Sequence, residues 1–189
     1  MGQDDIVSQK QFVYAGIGSR RTPNDILLIM EKFAEHMGKR NHVLRSGGAD
    51  GADLAFEVGA KRAESPMEIY LPWKGFNGNL SPLFYPSPAA LDVAAQYHPA
   101  WQRLSEAAKK LMARNSHQIL GLDLKTPCDF VVCWTPDGYN QHSQRMPDTG
   151  GTGQAIDIAI AHNIPVYNIK NAIDLDTLRK TFSECHTAS

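Results

Sequence analysis

Two glycine-rich stretches constrain the fold of this chain more than any other feature. They read RSGGADGAD over residues 45–53 and DTGGTGQ over residues 148–154. Each follows an apolar run typical of a buried strand and precedes a segment with helical periodicity. Such a turn aims bare backbone N–H groups and a helix dipole at one point, where an anion, most often phosphate, is stabilised. Two of these loops predict an α/β domain that grips a ligand from both sides.

The rest of the chain continues this alternation of strand and helix. Short apolar runs predict strands near residues 12–17, 43–45, 67–72, 129–134 and 164–168. Helical spacing predicts one helix that begins at Pro23 with Thr22 as N-cap, and others over residues 52–62, 100–115 and 154–162. This order predicts a single Rossmann-like domain over residues 1–189, with a doubly wound, mainly parallel sheet and helices on both faces.

Two segments interrupt the alternation, a proline- and aromatic-rich insert near residues 73–99 and a polar loop near residues 136–147. A loop as long as the first is usually functional, so we expect a lid or binding loop there. Aromatic side chains in and just after it are candidates to stack on a base, although packing is the commoner role for a single aromatic. These candidates are Trp73, Phe76, His98 and Trp101.

Composition narrows the class of protein. A net charge of −1 over 189 residues argues against wholesale wrapping of nucleic acid. The N-terminus does not resemble a signal peptide, and no apolar run has the length of a membrane span, so we expect no membrane partner. Cys128, Cys133 and Cys185 lack paired spacing and predict free thiols in a reducing cytoplasm. No set of His, Cys or carboxylate residues has metal-site spacing, so we expect neither metal nor cofactor.

Polar residues collect where three of the predicted strands end, over residues 18–21, 46–48 and 149–153. Parallel sheets bind their ligands at the carboxyl ends of the strands, near the point where strand order reverses. Neither glycine-rich loop has the GxGxxG spacing, and no GxxxxGK[ST] is present. The sequence therefore argues against NAD binding and P-loop chemistry.

Several residues at this edge suit a phosphorylated ligand. Glycine lets the backbone approach phosphate closely, and Arg20 and Arg45 can fork onto its oxygens. A structural ion pair is the alternative for Arg45, and Asp53 either touches a ribose hydroxyl or organises its loop. Arg114 and Asn115 either reach the pocket or end their helix. The predicted ligand-binding set is Gly18, Ser19, Arg20, Arg45, Ser46, Gly47, Gly48, Asp53, Arg114, Asn115, Thr149, Gly150, Gly151, Thr152 and Gly153.

The motifs resemble those of two known families. Gly18-Ser19-Arg20 followed by residues 46–53 resembles the DprA/Smf family of DNA-processing proteins. Residues 150–157 resemble the PGGxGTxxE signature of the Lonely Guy phosphoribohydrolases, with Thr149, Gln154 and Asp157 in place of proline, threonine and the catalytic glutamate. Both families belong to the SLOG superfamily, so the resemblance implies a Rossmann-like sheet that binds nucleotides or nucleic acid. The resemblance spans residues 12–167, and the dimers of the phosphoribohydrolases imply a homodimer here.

Three functions follow as hypotheses. The first is a sensor or sequestering protein for a small nucleotide or nucleotide-derived signal, favoured by the altered signature. The second is an N-glycoside hydrolase of nucleoside 5'-monophosphates, with Asp157 as the catalytic carboxylate that stabilises an oxocarbenium-like state. The third is a DprA-like binder of single-stranded DNA, favoured by the first two motifs and disfavoured by the net charge.

Overall fold

The computed structural model describes residues 10–183, which form a five-stranded sheet and six α-helices. The strands are β1 (Val13–Gly16), β2 (Val43–Ser46), β3 (Met67–Ile69), β4 (Phe130–Cys133) and β5 (Val166–Asn168). The helices are α1 (Asn24–Gly38), α2 (Ala52–Arg62), α3 (Pro88–Tyr97), α4 (Glu106–Leu120), α5 (Thr152–Ala161) and α6 (Ala172–Ser183). All five predicted strands are present, whereas α3 and α6 were not predicted.

The sheet has the strand order β3-β2-β1-β4-β5, and every neighbouring pair is parallel. Tyr14 of β1 lies opposite Leu44 of β2 on one side and Phe130 of β4 on the other. The chain extends the sheet from β1 through β2 to β3, and then returns to the other side of β1 for β4 and β5. The order therefore reverses between β1 and β4, which confirms the predicted doubly wound α/β fold.

Helices cover both faces of the sheet. Tyr14 and Phe130 pack with residues of α1, α2 and α6, whereas the next residues of their strands, Ala15 and Val131, pack with α4 and α5. Successive side chains of a strand point to opposite faces. Because both faces are buried, the strands are apolar throughout and lack a polar alternation.

Helix α3 occupies part of the proline-rich insert. The Ser87 Oγ accepts a hydrogen bond from the Ala90 N–H at 3.2 Å, and Pro88 stands at the first helical position, where its missing N–H is not needed. Ala90 and Ala94 are buried against Ala113 of α4. The prediction of a continuous loop was wrong there because a proline that starts a helix was taken for one that prevents it.

Helix α4 begins and ends several residues later than predicted. A short 3₁₀ turn (Trp101–Arg103) occupies the expected start, and the helix begins after Ser105, whose Oγ accepts from the Ala108 N–H at 3.2 Å. Arg114 and Asn115 therefore lie within α4, not at its C-terminus.

The start of α1 also differs from the prediction. Pro23 precedes the first helical residue, and Thr22 makes no capping hydrogen bond to α1. Its Oγ1 donates instead to the Ser19 carbonyl at 2.7 Å. Thr22 thus closes the turn after β1.

No α-helix in residues 10–183 combines the length and the apolar character of a membrane span. The same range contains no group of three or more His, Cys, Asp or Glu residues placed to hold a metal ion. Cys128 and Cys133 are buried free thiols, and burial raises the pKa of Cys128 to about 12. Cys185 lies outside the described residues.

Candidate ligand-binding cleft

A cleft of about 680 Å³ lies at the carboxyl ends of β1 and β4. Strand order reverses between these strands, and open α/β sheets bind their ligands at such a point. Its walls are residues 17–21 after β1, Ala49 and Asp53 of the first glycine-rich loop, one face of α4, and residues 148–152 of the second loop. We call it the switch-point cleft.

The switch-point cleft brings together most of the ligand-binding residues that the sequence predicts. Lining it are Gly18, Ser19, Arg20, Asp53, Arg114, Asn115, Thr149, Gly150, Gly151 and Thr152. Outside its lining are Arg45, Ser46, Gly47, Gly48, Gly153 and Asp157. The first glycine-rich loop thus contributes less than predicted, and the second contributes most of its residues.

A buried ion pair forms the inner wall of the cleft. Arg114 Nη1 of α4 donates to Asp53 Oδ2 at 3.0 Å, and the two residues are only 7% and 3% exposed. Burial raises the pKa of the Asp53 carboxyl, and the Arg114 guanidinium acts in the opposite direction. The pair joins the start of α2 to the middle of α4 across the cleft.

The Asp53 carboxylate occupies the place predicted for a phosphate at the first glycine-rich loop. Its Oδ2 accepts from the Ala49 N–H at 3.4 Å, and the Gly18 N–H also lowers its pKa. Gly47 faces a cation: a methyl group there would lie 1.3 Å from Arg114 Nη1. The loop predicted to cradle a phosphate at Gly47–Gly51 thus already holds a carboxylate and a guanidinium of the protein, and a phosphate site there stays a prediction of the sequence.

A second carboxylate lies behind the same loop. Glu57 of α2 is buried and accepts from Asn79 Nδ2 at 2.9 Å. Burial raises its pKa most, and the negative charge of Asp53 raises it further, while the Gly48 N–H lowers it. The surroundings of the first loop are therefore already rich in negative charge.

Arg45 and Ser46 make hydrogen bonds within the sheet and to a neighbouring loop. Arg45 Nε donates to Glu68 Oε2 at 2.7 Å, and its Nη1 donates to the Thr126 carbonyl at 2.7 Å. Ser46 Oγ donates to the Gly16 carbonyl at 2.8 Å. The ion pair that the sequence left open for Arg45 is the contact that the structure contains.

The second glycine-rich loop is open towards the cleft. Gly150 has φ +70°, a conformation that glycine adopts without strain, and a methyl group there would meet no atom closer than 3.9 Å. Thr152 is the first residue of α5, and the first N–H groups of a helix have no partner within the helix. Within residues 10–183 the N–H groups of Gly150, Gly151 and Thr152 have no hydrogen-bond partner, whereas that of Gly153 donates to the Gly150 carbonyl at 3.2 Å. A free helix start of this kind favours an anion.

Residues of the polar loop near 136–147 make hydrogen bonds to the second loop. Thr149 Oγ1 donates to Asp137 Oδ2, and Arg145 Nη2 donates to the Gly150 carbonyl at 3.3 Å. From the other side, Asn115 Nδ2 of α4 donates to the Gly151 carbonyl at 3.3 Å and to Gln154 Oε1 at 3.0 Å. The loop is thus held through the carbonyls of Gly150 and Gly151.

Asp157 is engaged outside the cleft. Arg145 Nη1 donates to its Oδ2 at 2.6 Å, and the Tyr139 hydroxyl donates to its Oδ1 at 2.7 Å. Both carboxylate oxygens thus have partners from the polar loop. In this arrangement Asp157 helps to hold Arg145 against Gly150.

The outer rim carries two arginines and one exposed carboxylate, Asp148, and one aromatic side chain lines the cleft. Arg20 and Arg21 are exposed, and neither guanidinium has a hydrogen bond or ion pair with another residue in the range 10–183. Phe76 lines the cleft and packs edge-on against Trp73, with ring centroids 5.1 Å apart. His98 and Trp101 do not line it. Of the predicted aromatic candidates, Phe76 is thus the one at the cleft.

Sequence reasoning missed much of the α4 wall. Ala108, Leu111, Met112 and Gln118 line the cleft together with the predicted Arg114 and Asn115. Their spacing of three and four residues is that of one helix face. This spacing can be seen in the sequence. Gln118 was missed because the helix was predicted to end at residue 115.

Comparison with solved structures finds the following match. The X-ray structure of DNA processing protein A (DprA) from Streptococcus pneumoniae is 19% identical in sequence and aligns with a TM-score of 0.49. The match covers 93% of this chain and 56% of that chain. The sequence matches no protein-family model and no curated protein.

Proposed function

We propose that this protein binds a small nucleotide or nucleotide-derived signalling molecule in the switch-point cleft, as a sensor or sequestering protein. The observation that carries the proposal is the second glycine-rich loop, which lies open at the carboxyl edge of the sheet in the same cleft as Arg20 and Arg21. A phosphate group is the chemistry that such a helix start favours.

The arginines of the rim support an anionic ligand. Arg20 and Arg21 stand on the turn after β1, across the cleft from residues 150–152. Their guanidinium groups are exposed and unpaired within the described chain, so they are available to fork onto phosphate oxygens. A phosphate between this turn and the second loop would meet N–H donors on one side and positive charge on the other.

The remaining walls suit a nucleoside. Phe76, Leu111 and Met112 supply apolar surface, and the buried groups of Asp53, Arg114 and Asn115 supply polar contacts. The cleft volume of about 680 Å³ lies within the range of small-molecule sites. A mixture of apolar surface with few polar groups is typical of such sites.

The contacts of Asp157 favour binding over cleavage. A hydrolase would need a carboxylate free to face the anomeric carbon, whereas both oxygens of Asp157 have partners in the polar loop. Asp53 does line the cleft, but its charge is neutralised by Arg114. We therefore propose binding without turnover, and N-glycoside hydrolysis remains the alternative that the experiment below distinguishes.

The experiment is a titration of the protein with nucleoside 5'-monophosphates and with the matching nucleosides. We expect the monophosphates to raise the melting temperature and the nucleosides to leave it unchanged, because the phosphate supplies the main contact. The double variant Arg20→Ala/Arg21→Ala should weaken the effect while folding normally. Equal binding of nucleoside and nucleotide would contradict the proposal, and release of free base, measured by chromatography, would replace it with the hydrolase.

A single-domain organisation, a homodimer and a cytoplasmic location stay predictions of the sequence. Sedimentation tests the dimer directly, since a monomer has a mass of 20.9 kDa. Single-stranded DNA binding is tested by an oligonucleotide titration at low salt, where several phosphate contacts would give a strong salt dependence. We expect no binding there.

A further inference from the structure

The first part of the proline- and aromatic-rich insert reaches the switch-point cleft. A short 3₁₀ turn (Phe76–Gly78) lies within residues 73–79, which we call the Phe76 segment. Of the whole insert, residues 73–99, Phe76 alone lines the cleft. Any direct contact between the insert and a ligand in the cleft therefore involves this side chain.

Two asparagine side chains connect the Phe76 segment to the first glycine-rich loop and to α2. Asn77 Nδ2 donates to the Gly48 carbonyl at 3.1 Å. Asn79 Nδ2 donates to Glu57 Oε2 of α2 at 2.9 Å. The chain that follows Phe76 is thus held against the first loop and the helix behind it.

The Phe76 ring is packed only in part. It lies edge-on to Trp73 and packs against the buried core cluster that includes Leu71. The side chain is half-buried, and it lines the cleft. Aromatic surface is therefore available to a ligand there.

The backbone of the Phe76 segment has an unusual conformation. Gly75 and Gly78 have φ +72° and +73°, and a methyl group at either position would meet no atom within 4 Å. Asn77 has φ +50°, a left-handed conformation that asparagine adopts more readily than most residues. Because the backbone at Gly75 and Gly78 is not packed, we expect the hydrogen bond from Asn77 to contribute to the position of Phe76.

Phe76 and the proposed phosphate site lie on different walls of the cleft. The bond from Asn77 to Gly48 places the Phe76 segment beside the first loop, whereas residues 150–152 belong to the second loop. In a nucleoside monophosphate the base and the phosphate are attached at opposite ends of the ribose. A phosphate on the second loop therefore leaves the base for the wall that contains Phe76, and every base has a π-face that can stack on an aromatic ring.

We infer that Phe76 is a specificity-determining residue that stacks on the base of the bound nucleotide, and that Asn77 is a positioning residue that holds Phe76 through the Gly48 carbonyl. The inference rests on the proposed function, since it takes the phosphate to lie on the second loop. It adds the ligand class, which is phosphates that carry an aromatic base over sugar phosphates that lack one. It also gives the first glycine-rich loop the role of supporting the base-binding wall.

The test compares adenosine 5'-monophosphate with ribose 5-phosphate, which carries the same sugar and phosphate without a base. Calorimetric titration of the unmodified protein should show about tenfold tighter binding of the nucleotide, the effect of one base stacked on an aromatic side chain. Phe76→Leu keeps an apolar side chain without the ring. It should lose most of that tenfold preference and leave the affinity for ribose 5-phosphate unchanged.

Asn77→Gly tests the positioning role. Glycine adopts the φ of this position without strain, so the variant removes the hydrogen bond to Gly48 and little else. It should weaken binding of the nucleotide severalfold and leave binding of ribose 5-phosphate unchanged. A general disturbance of the cleft would weaken both ligands alike, which would contradict the positioning role, as would an unchanged affinity for the nucleotide.

Phe84→Leu is the matched control. Phe84 is a half-buried phenylalanine of the same insert that packs against the same core cluster but does not line the cleft. The control should keep the full preference for the nucleotide. Thermal unfolding of all three variants checks that they fold.

The outcomes separate this inference from the proposed function. If neither the nucleotide nor ribose 5-phosphate binds the unmodified protein, both fail. If the two bind it equally, or if Phe76→Leu keeps the preference or weakens both ligands alike, the inference is overturned and a phosphate site in the cleft stands. If Phe76→Leu does not fold, the preference of the unmodified protein and its loss in Asn77→Gly decide.

Discussion

The two glycine-rich loops follow strands of the same sheet and precede helices, yet their backbone N–H groups face different partners. In the first, Asp53 of the protein accepts from the Ala49 N–H and pairs with Arg114. In the second, Arg145 donates to the Gly150 carbonyl, and Asn115 of the cleft wall donates to the Gly151 carbonyl. We therefore expect the second loop to bind an anion, because among the described residues no carboxylate accepts from the N–H groups of Gly150, Gly151 or Thr152.

Removing Arg114 should have the largest effect, because it leaves a buried carboxylate without its partner. We expect Arg114→Met to lower the free energy of unfolding by about 3–5 kcal/mol. The double variant Asp53→Asn/Arg114→Met should recover part of that loss, since no unpaired charge remains. Urea denaturation measures both. A loss below about 1 kcal/mol for the single variant would show that the pair does not organise the first loop.

Adding one methyl group to each loop should affect the stability of the protein differently. In Gly47→Ala the new methyl would lie 1.3 Å from Arg114 Nη1, and we expect a loss of about 1–3 kcal/mol in unfolding free energy. In Gly151→Ala the nearest atom is Met112 Cε at 2.9 Å, the end of a flexible side chain, so stability should change little.

The nucleotide affinities of the same two variants provide the second readout. Gly151→Ala should weaken nucleotide binding severalfold while its unfolding curve stays close to that of the unmodified protein. The opposite result, a destabilised Gly151→Ala with normal binding, would contradict the assignment of the second loop to the phosphate. Chemical denaturation and calorimetric titration on one preparation give both quantities.

The carboxylates of the first loop should also give the protein a characteristic pH dependence. Burial raises the pKa of Glu57, and the charge of Asp53 raises it further. The folded state therefore holds this proton more tightly than the unfolded state. The resulting stabilisation is complete below the unfolded pKa and is lost as the pH rises through the folded pKa.

Glu57→Gln removes that titration and keeps an oxygen for Asn79. We expect its unfolding free energy to rise relative to the unmodified protein as the pH increases from about 4 to 8. Denaturation at a series of pH values measures the difference. Glu35→Gln is a control, because the neighbouring Lys39 lowers the pKa of that helix carboxylate, the opposite direction to Glu57. If the difference in unfolding free energy between Glu57→Gln and the unmodified protein does not change with pH, the pKa of Glu57 is not raised in the folded state.

The smallest effect is expected at Asp157, which tethers the second loop indirectly through Arg145. Asp157→Asn keeps an acceptor for Tyr139 and weakens the ion pair with Arg145, whose two side chains are each less than a quarter exposed. We expect a loss of about 1 kcal/mol or less in stability and a severalfold loss in nucleotide affinity. A complete loss of base release from a substrate of the unmodified protein would instead assign Asp157 a catalytic role.

The sequence predicted the sheet well because buried parallel strands leave a strong local signal. Val131 and its neighbours are apolar in an unbroken run, and the glycine-rich turns mark where β2 ends and α5 begins. It predicted the start of α2 at Ala52 correctly, but it missed the starts of α3 and α4, where one proline or one serine decides the outcome. Pro88 starts α3 and Ser105 starts α4, and neither position stands out from the surrounding prolines and polar residues.

The candidate site could be predicted only in part, since partners distant in sequence determine what a loop residue contacts. Nothing near Gly47 in the chain indicates that the guanidinium of Arg114 lies against it. The sequence does show that Asp53 lies in the first turn of a helix, a position that favours a carboxylate. It does not show that the loop folds so that the Ala49 N–H donates to this carboxylate. More of the second loop lies at the cleft, where Thr149, Gly150, Gly151 and Thr152 line it, and the phosphate contact there stays a prediction.

The most direct test of this account is a titration of ¹⁵N-labelled protein with a nucleoside 5'-monophosphate, followed by amide chemical shifts. Phosphate on the second loop should shift the Gly150, Gly151 and Thr152 amides most, while the Gly48 and Ala49 amides change little. Large shifts at Gly48 and Ala49 with none at residues 150–152 would contradict the account, because the ligand would then have displaced Asp53 from the first loop.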